Sequence, residues 1–250
     1  MNRAVKSTIF VLSLLILLPN VAHAQLKDNI EINVFGGGSF YTHKEFQVGF
    51  PQVTSSVIGS AQAAAPILGE FRLNNAVRGG VRVGVYTRGH WSEEFFYSYE
   101  PDTAHIMRLS APATSIPLGV RIHNYGVTAL YYLEEDETHS VRPFLSIGVG
   151  GTLYRLTPES RSFAQNPFGG NLPGINNSNE LALNYGVGIK TRMSNWLGFR
   201  ADIRGFLERA PAFGLPRQSS DPNAVVFPVT GAINNAEASA GLVFYFFNRR

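Results

Sequence analysis

The amino-acid sequence predicts an all-β fold, an eight-stranded antiparallel transmembrane up-and-down β-barrel. Three observations lead to this prediction. The N-terminus has the pattern of a secretory signal peptide, the rest of the chain is divided into segments in which apolar and polar residues alternate, and the connections between these segments are short and long in turn. A transmembrane barrel shows such alternation because each strand exposes one face to lipid and the other to the lumen.

Residues 1–24 are predicted to be a signal peptide. Arg3 and Lys6 precede an apolar run over residues 9–18, and a small-residue triplet, 22–24, follows. The run is too short to span a bilayer, and no later stretch approaches the roughly 18 apolar residues of a transmembrane helix. An exported chain that enters a membrane is therefore expected to do so as a closed barrel, which also satisfies every backbone group in lipid.

The composition agrees with export. The chain has no Cys, which excludes disulfides, thiolate chemistry and cysteine-based metal sites. Lys and Arg number 21 against 18 Asp and Glu, and two of the basic residues belong to the predicted signal peptide. The remaining chain is nearly neutral, so its charge does not indicate nucleic acid as a partner.

Eight alternating segments are the predicted strands. They are residues 29–41, 76–88, 92–100, 122–133, 141–156, 180–192, 197–207 and 236–247. The connections after the second, fourth and sixth segments are short. The long ones are residues 42–75, 101–121, 157–179 and 208–235. Outer-membrane barrels have this asymmetry, with short periplasmic turns and long external loops.

Aromatic residues gather beside the short connections and near the C-terminus. They are Tyr86 and Trp91 at the first turn, Tyr131 and Tyr132 at the second, Trp196 and Phe199 at the third, and Phe244, Tyr245, Phe246 and Phe247 at the end. Trp and Tyr favour the lipid–water boundary, where the ring is buried and the polar tip stays wet. We therefore predict an aromatic belt at one rim of the barrel.

The last predicted strand places Phe244 and Phe246 on one face and Ser239 and Gly241 on the other. The spacing of these four residues resembles the C-terminal assembly signal of bacterial outer-membrane β-barrels. An ordinary sandwich strand would show the same alternation. The resemblance implies that the barrel assembly machinery is a partner of the chain.

The order of short motifs along the chain resembles the OmpA-like outer-membrane β-barrel domain family. The motifs are Phe35-Gly36-Gly37-Gly38, Gly80-Val81-Arg82-Val83-Gly84, Arg142-Pro143-Phe144, Tyr185-Gly186-Val187-Gly188, Arg200-Ala201-Asp202-Ile203-Arg204 and Ser239-Ala240-Gly241-Leu242. The resemblance implies that residues 25–250 form an outer-membrane β-barrel domain, located in the outer membrane of a Gram-negative-type bacterium after signal-peptide cleavage. The periplasmic peptidoglycan-binding domain of larger members is not expected here.

Assigning apolar residues to the lipid face places a set of charges in the lumen. The predicted interior polar network is Glu31, Arg78, Arg82, Glu94, Lys190, Arg200, Asp202 and Arg204. A three-residue third turn, 194–196, would set Lys190 opposite Arg200. A polar core that plugs the barrel is the favoured interpretation, and a gated pore is the alternative.

We expect a non-enzymatic integral outer-membrane protein with an envelope structural role and long extracellular loops available for adhesion or recognition. The alternatives are a narrow pore or small-molecule carrier and an outer-membrane lipid-modifying enzyme. His139 and Ser140 adjoin an acidic run that we interpret as a solvated turn, so no catalytic, cofactor-binding or metal site is predicted. Outer-membrane lipids are the expected partners, with no nucleic acid, no cofactor and a monomeric state.

Overall fold

The computed structural model describes residues 30–42, 44–48, 67–108, 114–134, 141–166, 172–217, 227, 229 and 231–246. The predicted signal peptide and the His139–Ser140 pair lie outside the described residues. Within them, no helix has both the length and the apolar composition needed to cross a bilayer.

The described residues form ten strands and one short helix. The elements are β1 (Ile30–Tyr41), β2 (Lys44–Val48), β3 (Ile67–Leu73), β4 (Ala76–Arg88), β5 (Trp91–Arg108), β6 (Thr114–Tyr132), β7 (Val141–Leu156), α1 (Pro158–Gln165), β8 (Ser178–Arg192), β9 (Leu197–Arg209) and β10 (Ala232–Phe246).

Eight of the strands close into an antiparallel barrel, which confirms the predicted fold class. Each barrel strand pairs with its neighbour in the chain, apart from the excursion of β2 and β3, and β10 pairs back onto β1. The closing register sets Ile32 opposite Phe244 and Phe35 opposite Gly241. Because the sheet closes, every barrel strand pairs with a neighbour on both sides. Such pairing satisfies the backbone N–H and C=O groups, which lipid could not do.

The short connections after β4, β6 and β8 lie at one end of the barrel, together with the start of β1 and the end of β10. We call this the turn end and the opposite end the loop end. At the turn end the ring centroids of Trp91 and Tyr131 are 5.0 Å apart, and Trp196 stacks on Phe244 at 6.4 Å. These aromatic residues form a belt on the outer face.

Tyr132 departs from the predicted belt. It is fully buried and points into the lumen, because it shares the inward parity of Leu130 and Thr128 on β6. Tyr131, one residue earlier, faces outward. The side chain of Tyr86 and the whole of Phe247 lie outside the described residues.

The long connections contain more regular structure than the sequence predicted. The segment 101–121 is mostly strand, since β5 and β6 remain paired as far as Arg108 and Thr114. The segment 42–75 contains β2 and β3, and β3 adds to the extended part of β5. The predicted strands were too short because the extensions place apolar residues on the inner face, where the prediction required polar residues.

Helix α1 occupies part of the connection between β7 and β8. Thr157 caps its N-terminus, where the Thr157 hydroxyl accepts a hydrogen bond from the Ser160 amide at 3.3 Å. Pro158 opens the first turn, a position that needs no backbone donor. Ala164, near the helix end, is fully buried against the loop-end residues of the barrel.

The outer surface of the barrel between the two ends is apolar. Ile147, Leu181, Val187 and Ile203 expose between 52% and 65% of their surface. Their chain neighbours face inward and are polar or small, as the period of two requires. A solvent-exposed apolar band surrounding a polar interior is the inverse of a soluble domain.

Candidate functional site: the barrel lumen

The eight residues predicted for the interior all lie on the inner face. None of Glu31, Arg78, Arg82, Glu94, Lys190, Arg200, Asp202 and Arg204 is more than 6% exposed. Strand parity positions them, since each strand sends every second side chain to the lumen. Five cations and three anions of the predicted set are therefore removed from water together.

The centre of the lumen is a cluster of arginines around two carboxylates. Glu94 on β5 accepts hydrogen bonds from Arg200 and from Arg204, the latter at 2.6 Å. Asp202 accepts from Arg200 at 2.8 Å. Asp202 also accepts from Arg82 at 3.2 Å, so β4, β5 and β9 are joined across the lumen.

Two further carboxylates extend the cluster toward the loop end. Glu237 on β10 lies between two arginines, 2.8 Å from Arg82 Nη2 and 3.0 Å from Arg78 Nη1. Glu100 on β5 pairs with Arg78 at 2.7 Å. With Glu100 and Glu237 included, the five predicted lumen cations are matched by five anions, and the interior also buries Arg142 and Glu208.

Near the turn end, Lys190 forms a separate pair with Glu31. Lys190 Nζ lies 2.8 Å and 3.0 Å from the two carboxylate oxygens, and it also donates to the Tyr132 hydroxyl. Lys190 and Arg200 are Cα partners, as expected for a three-residue turn in which the Met193 amide donates to the Leu197 carbonyl at 3.0 Å. The two facing cations thus use different anions.

Aromatic rings occupy the remaining faces of the arginines. Arg82 lies over the Phe35 ring at 3.6 Å, Arg200 over Phe144 at 4.5 Å and Arg142 over Tyr132 at 4.1 Å. A guanidinium is attracted to the face of an aromatic ring, most strongly when both are desolvated. The rings and ion pairs together fill the cross-section of the barrel.

Glycine makes room for these large side chains. A Cβ atom at Gly84 would lie 2.8 Å from Glu31 Cγ, and one at Gly188 would lie 2.6 Å from Asp202 Cβ. The interior of an eight-stranded barrel is only wide enough for its own side chains. Glycine on one strand therefore permits a charged side chain on the next.

Glu100 and Glu237 were not predicted from the sequence as members of the lumen cluster. Both could have been found by parity, because Glu100 shares the inward face of Glu94, and Glu237 shares that of Ser239. Ser239, predicted only as part of the assembly signal, donates to Asp202 at 2.6 Å and accepts from Arg82 at 3.0 Å.

The remaining assembly-signal residues lie on β10 as the alternation predicts. Phe246 is 43% exposed on the outer face and Phe244 stacks on Trp196. Gly241 faces inward, close to the backbone of Phe35. Their role in assembly stays a prediction.

An apolar cluster covers the lumen at the loop end, and we call it the apolar cap. Its members are Tyr41, Phe71, Leu73, Ala104, Leu118, Val120, Ile122, Tyr154, Leu156, Ala164, Ile175, Ala210, Ala212, Phe213, Leu215, Phe227, Val229 and Ile233. They come from β3, α1, the connections that follow β7 and β9, and the loop-end parts of the barrel strands. Arg78 donates to the Tyr41 hydroxyl at 3.0 Å, which ties the cap to the charged layer below.

Buried charges of this kind favour a fixed arrangement. Removing one member of a buried ion pair leaves its partner without compensation and costs about 3–5 kcal/mol. Movement of one arginine would break several contacts at once, since Arg82 contacts Asp202, Glu237 and Ser239. Within the described parts of the chain, no three His, Asp or Glu residues are grouped so as to hold a metal ion.

The chain is similar to several solved structures. The outer membrane protein OprG from Pseudomonas aeruginosa is 10% identical, with 88% of this chain and 96% of that chain covered and a TM-score of 0.51. The outer membrane protein AlkL is 12% identical over 90% of this chain and 92% of that one, with a TM-score of 0.47. Neisserial surface protein A is 11% identical over 87% and 97%, with a TM-score of 0.43.

No family model matches the chain, and no curated protein matches it. At 10% identity the likeness to OprG shows the fold alone. The chain has the closed eight-stranded antiparallel barrel that OprG also has.

Proposed function

We propose that this chain is a non-enzymatic integral protein of the bacterial outer membrane, in which the barrel is a sealed structural anchor for its loop end. Residues 1–24 direct export and are removed. The folded domain is a monomer that contacts outer-membrane lipids, and the barrel assembly machinery inserts it through the signal on β10.

The outer surface supports a membrane location. Trp91 near the turn end and Tyr99 nearer the loop end both face outward on β5, 55% and 38% exposed. They are eight residues apart, or about 27 Å along a strand. At a strand tilt of about 35–45°, this separation projects to about 20 Å along the barrel axis, comparable with the apolar band of about 25 Å in outer-membrane barrels.

The filled lumen is the observation that carries the proposal of a sealed barrel. Arg82 and Glu94 are each 2% exposed, and Arg78 and Glu100 are fully buried. The apolar cap covers this charged layer at the loop end. A conducting lumen would require several buried ion pairs and the cap to open together.

The loop end is the part available for recognition. The β2–β3 hairpin, the extensions of β5 and β6, and α1 all lie beyond the outer aromatic residues. Loops on a rigid scaffold commonly carry binding functions. Adhesion is therefore the role we propose for this end, with the barrel as its support.

Three measurements test the proposal. The folded protein should migrate differently from the boiled protein on a detergent gel, and unchanged mobility would contradict a membrane barrel. Proteoliposomes that contain it should swell in small sugars no faster than empty liposomes, with a general porin as the positive control. Rapid swelling would favour the pore, and altered lipid A masses in cells that express the protein would favour the enzyme.

A further inference from the structure

Two arginines face each other on the outer surface of the barrel near the loop end. Arg121 on β6 and Arg155 on β7 are Cα partners in the antiparallel register, and both residues are exposed. Like charges directly opposite on neighbouring strands destabilise the pair. The arrangement therefore carries a cost that a bound anion would remove.

Nothing described in the chain supplies that anion. None of the ion pairs among the described residues includes Arg121 or Arg155. The loop-end segments beyond the described residues are also poor in acids. Residues 49–66, 109–113 and 167–171 contain none, and 218–226 contains only Asp221.

The arginine pair lies directly above an aromatic and polar row. His123 lies two residues nearer the turn end on β6. Its Nδ1 atom is hydrogen-bonded to the Tyr97 hydroxyl at 2.7 Å, and its ring packs against that of Tyr99 with the centroids 5.3 Å apart. Tyr side chains mark the lipid–water boundary. Arg121 and Arg155 therefore lie at the level of lipid headgroups.

An apolar groove continues from this row toward the membrane centre. It has a volume of about 270 Å³ and is lined by Tyr125, Val127, Val149, Gly151, Asn179 and Leu181. Leu181 is 65% exposed and Val149 46%. Gly151 lets the Tyr125 ring lie flat over β7, and the Tyr125 hydroxyl donates to Asn179 at 3.1 Å.

One carboxylate borders the groove, and it is already engaged. Glu180 accepts a hydrogen bond from Ser178 at 2.7 Å and lies 3.9 Å from Arg217. Glu180 is the Cα partner of the inward-facing Thr152, so it belongs to the inner face. The outer surface therefore combines an uncompensated pair of cations with an apolar groove that begins four residues nearer the turn end along β6.

We propose that this surface binds one phosphorylated lipid of the outer leaflet, with its phosphate between Arg121 and Arg155 and an acyl chain in the groove. Guanidinium groups bind phosphate through paired, charge-assisted hydrogen bonds. Tyr125 lies four residues below Arg121, about 13 Å along the strand, a distance that a headgroup and the start of an acyl chain span. The inference rests on the proposed membrane location.

The test is a lipid titration of the processed, folded protein in detergent, read by native mass spectrometry. The probes are bisphosphorylated lipid A, dephosphorylated lipid A, phosphatidylglycerol and inorganic phosphate. The variant is Arg121→Gln with Arg155→Gln. The control is Arg72→Gln with Arg209→Gln, which removes two other exposed loop-end cations. The control therefore has the same net charge as the Arg121 and Arg155 double variant.

The double variant should weaken binding of lipid A at least about ten-fold, and the control pair should leave it within about two-fold. Dephosphorylated lipid A should bind the parent and the variant equally. If phosphatidylglycerol also binds and the double variant weakens its binding, the site accepts the phosphate of either lipid A or a phospholipid, which supports the proposal.

Equal lipid A affinity of the parent and the double variant would overturn the proposal. Inorganic phosphate that competes as strongly as lipid A would also overturn it, because the groove would then contribute nothing. Heat-modifiability, measured on the same samples, reports separately on the membrane barrel. A folded barrel without arginine-dependent binding defeats the lipid site and leaves the proposed function intact.

Discussion

At the scale of single residues, the lumen depends on a few carboxylates that each hold several cations. Asp202 contacts Arg82, Arg200 and Arg204. Parity predicted Asp202 and its arginines from the sequence. It could not predict which anion each cation would use, because that depends on the stagger of distant strands such as β5 and β10.

Replacing Asp202 with Ala should lower the free energy of unfolding by about 3–5 kcal/mol, because three arginines lose a counter-charge. The measurement is the urea midpoint in detergent. Ile203→Val, a change on the lipid face of the same strand, should have little effect. A second change, Arg82→Met, should recover part of the loss, and no effect of Asp202→Ala would contradict the ion-pair network.

The Asp102 carboxyl should make the stability of the loop end depend on pH. It pairs with Val120, above the outer Tyr residues and outside the membrane-spanning part of β5. Burial raises the pKa of the Asp102 carboxyl from 3.8 to about 7. The folded state therefore binds this proton more tightly, so the resulting stability is complete below about pH 4 and is lost as the pH rises to about 7.

Replacing Asp102 with Asn removes this titration while keeping the oxygen that accepts from the Thr103 amide. The urea midpoint of the variant should fall less between pH 5 and pH 8 than that of the parent. Glu159→Gln on the exposed surface of α1 is the matched control. Parallel pH curves for Asp102→Asn and the parent would refute the assignment.

At the scale of elements, the central parts of the barrel strands could be predicted from the sequence and their loop-end extensions could not. The predicted strands 76–88 and 141–156 coincide with β4 and β7. Strand β6 begins at Thr114 instead of residue 122, because Leu118 and Val120 face the apolar cap. The cap is built from segments far apart in the chain, and single-strand alternation contains no information about such contacts.

Strand β10 carries the assembly prediction. Replacing Phe244 and Phe246 with Asp places two charges on the outer face and should prevent insertion, leaving the chain periplasmic or degraded. Cell fractionation measures the outcome. Ser239→Ala changes only the inner face and should insert normally, with a lowered urea midpoint. Equal membrane levels of the double variant and the parent would remove the assembly-signal interpretation.

The apolar cap should be separable from the barrel wall. Phe71 is 2% exposed and its ring lies 5.8 Å from that of Phe213. Replacing Phe71 with Ala should cost about 3–5 kcal/mol locally. Proteolysis at the loop end should accelerate while heat-modifiability remains. Phe163→Ala, at an exposed position of α1, should leave proteolysis unchanged, and a resistant Phe71 variant would contradict the packed cap.

At the scale of the whole molecule, the barrel has an apolar outside, a charged inside and an apolar cover at one end. This order explains how a nearly neutral chain keeps most of its charges inside the barrel and presents an apolar outer surface. Arg78, Arg82, Lys190, Arg200 and Arg204 each pair with at least one buried carboxylate, so most of the interior charge is compensated. The same arrangement closes the lumen, and it leaves the outer surface and the loop end as the parts able to contact other molecules.

Single-channel current in a planar bilayer tests the central claim most directly. The folded protein, inserted in the bilayer, should give no discrete conductance steps at moderate voltage in 1 M salt. At this salt concentration the Debye length is about 3 Å, so exposed charges are screened and buried ion pairs are not. Asp202→Ala should lose stability and still give no current if the cap seals the lumen. Reproducible steps from the parent protein would contradict a sealed barrel and establish a pore.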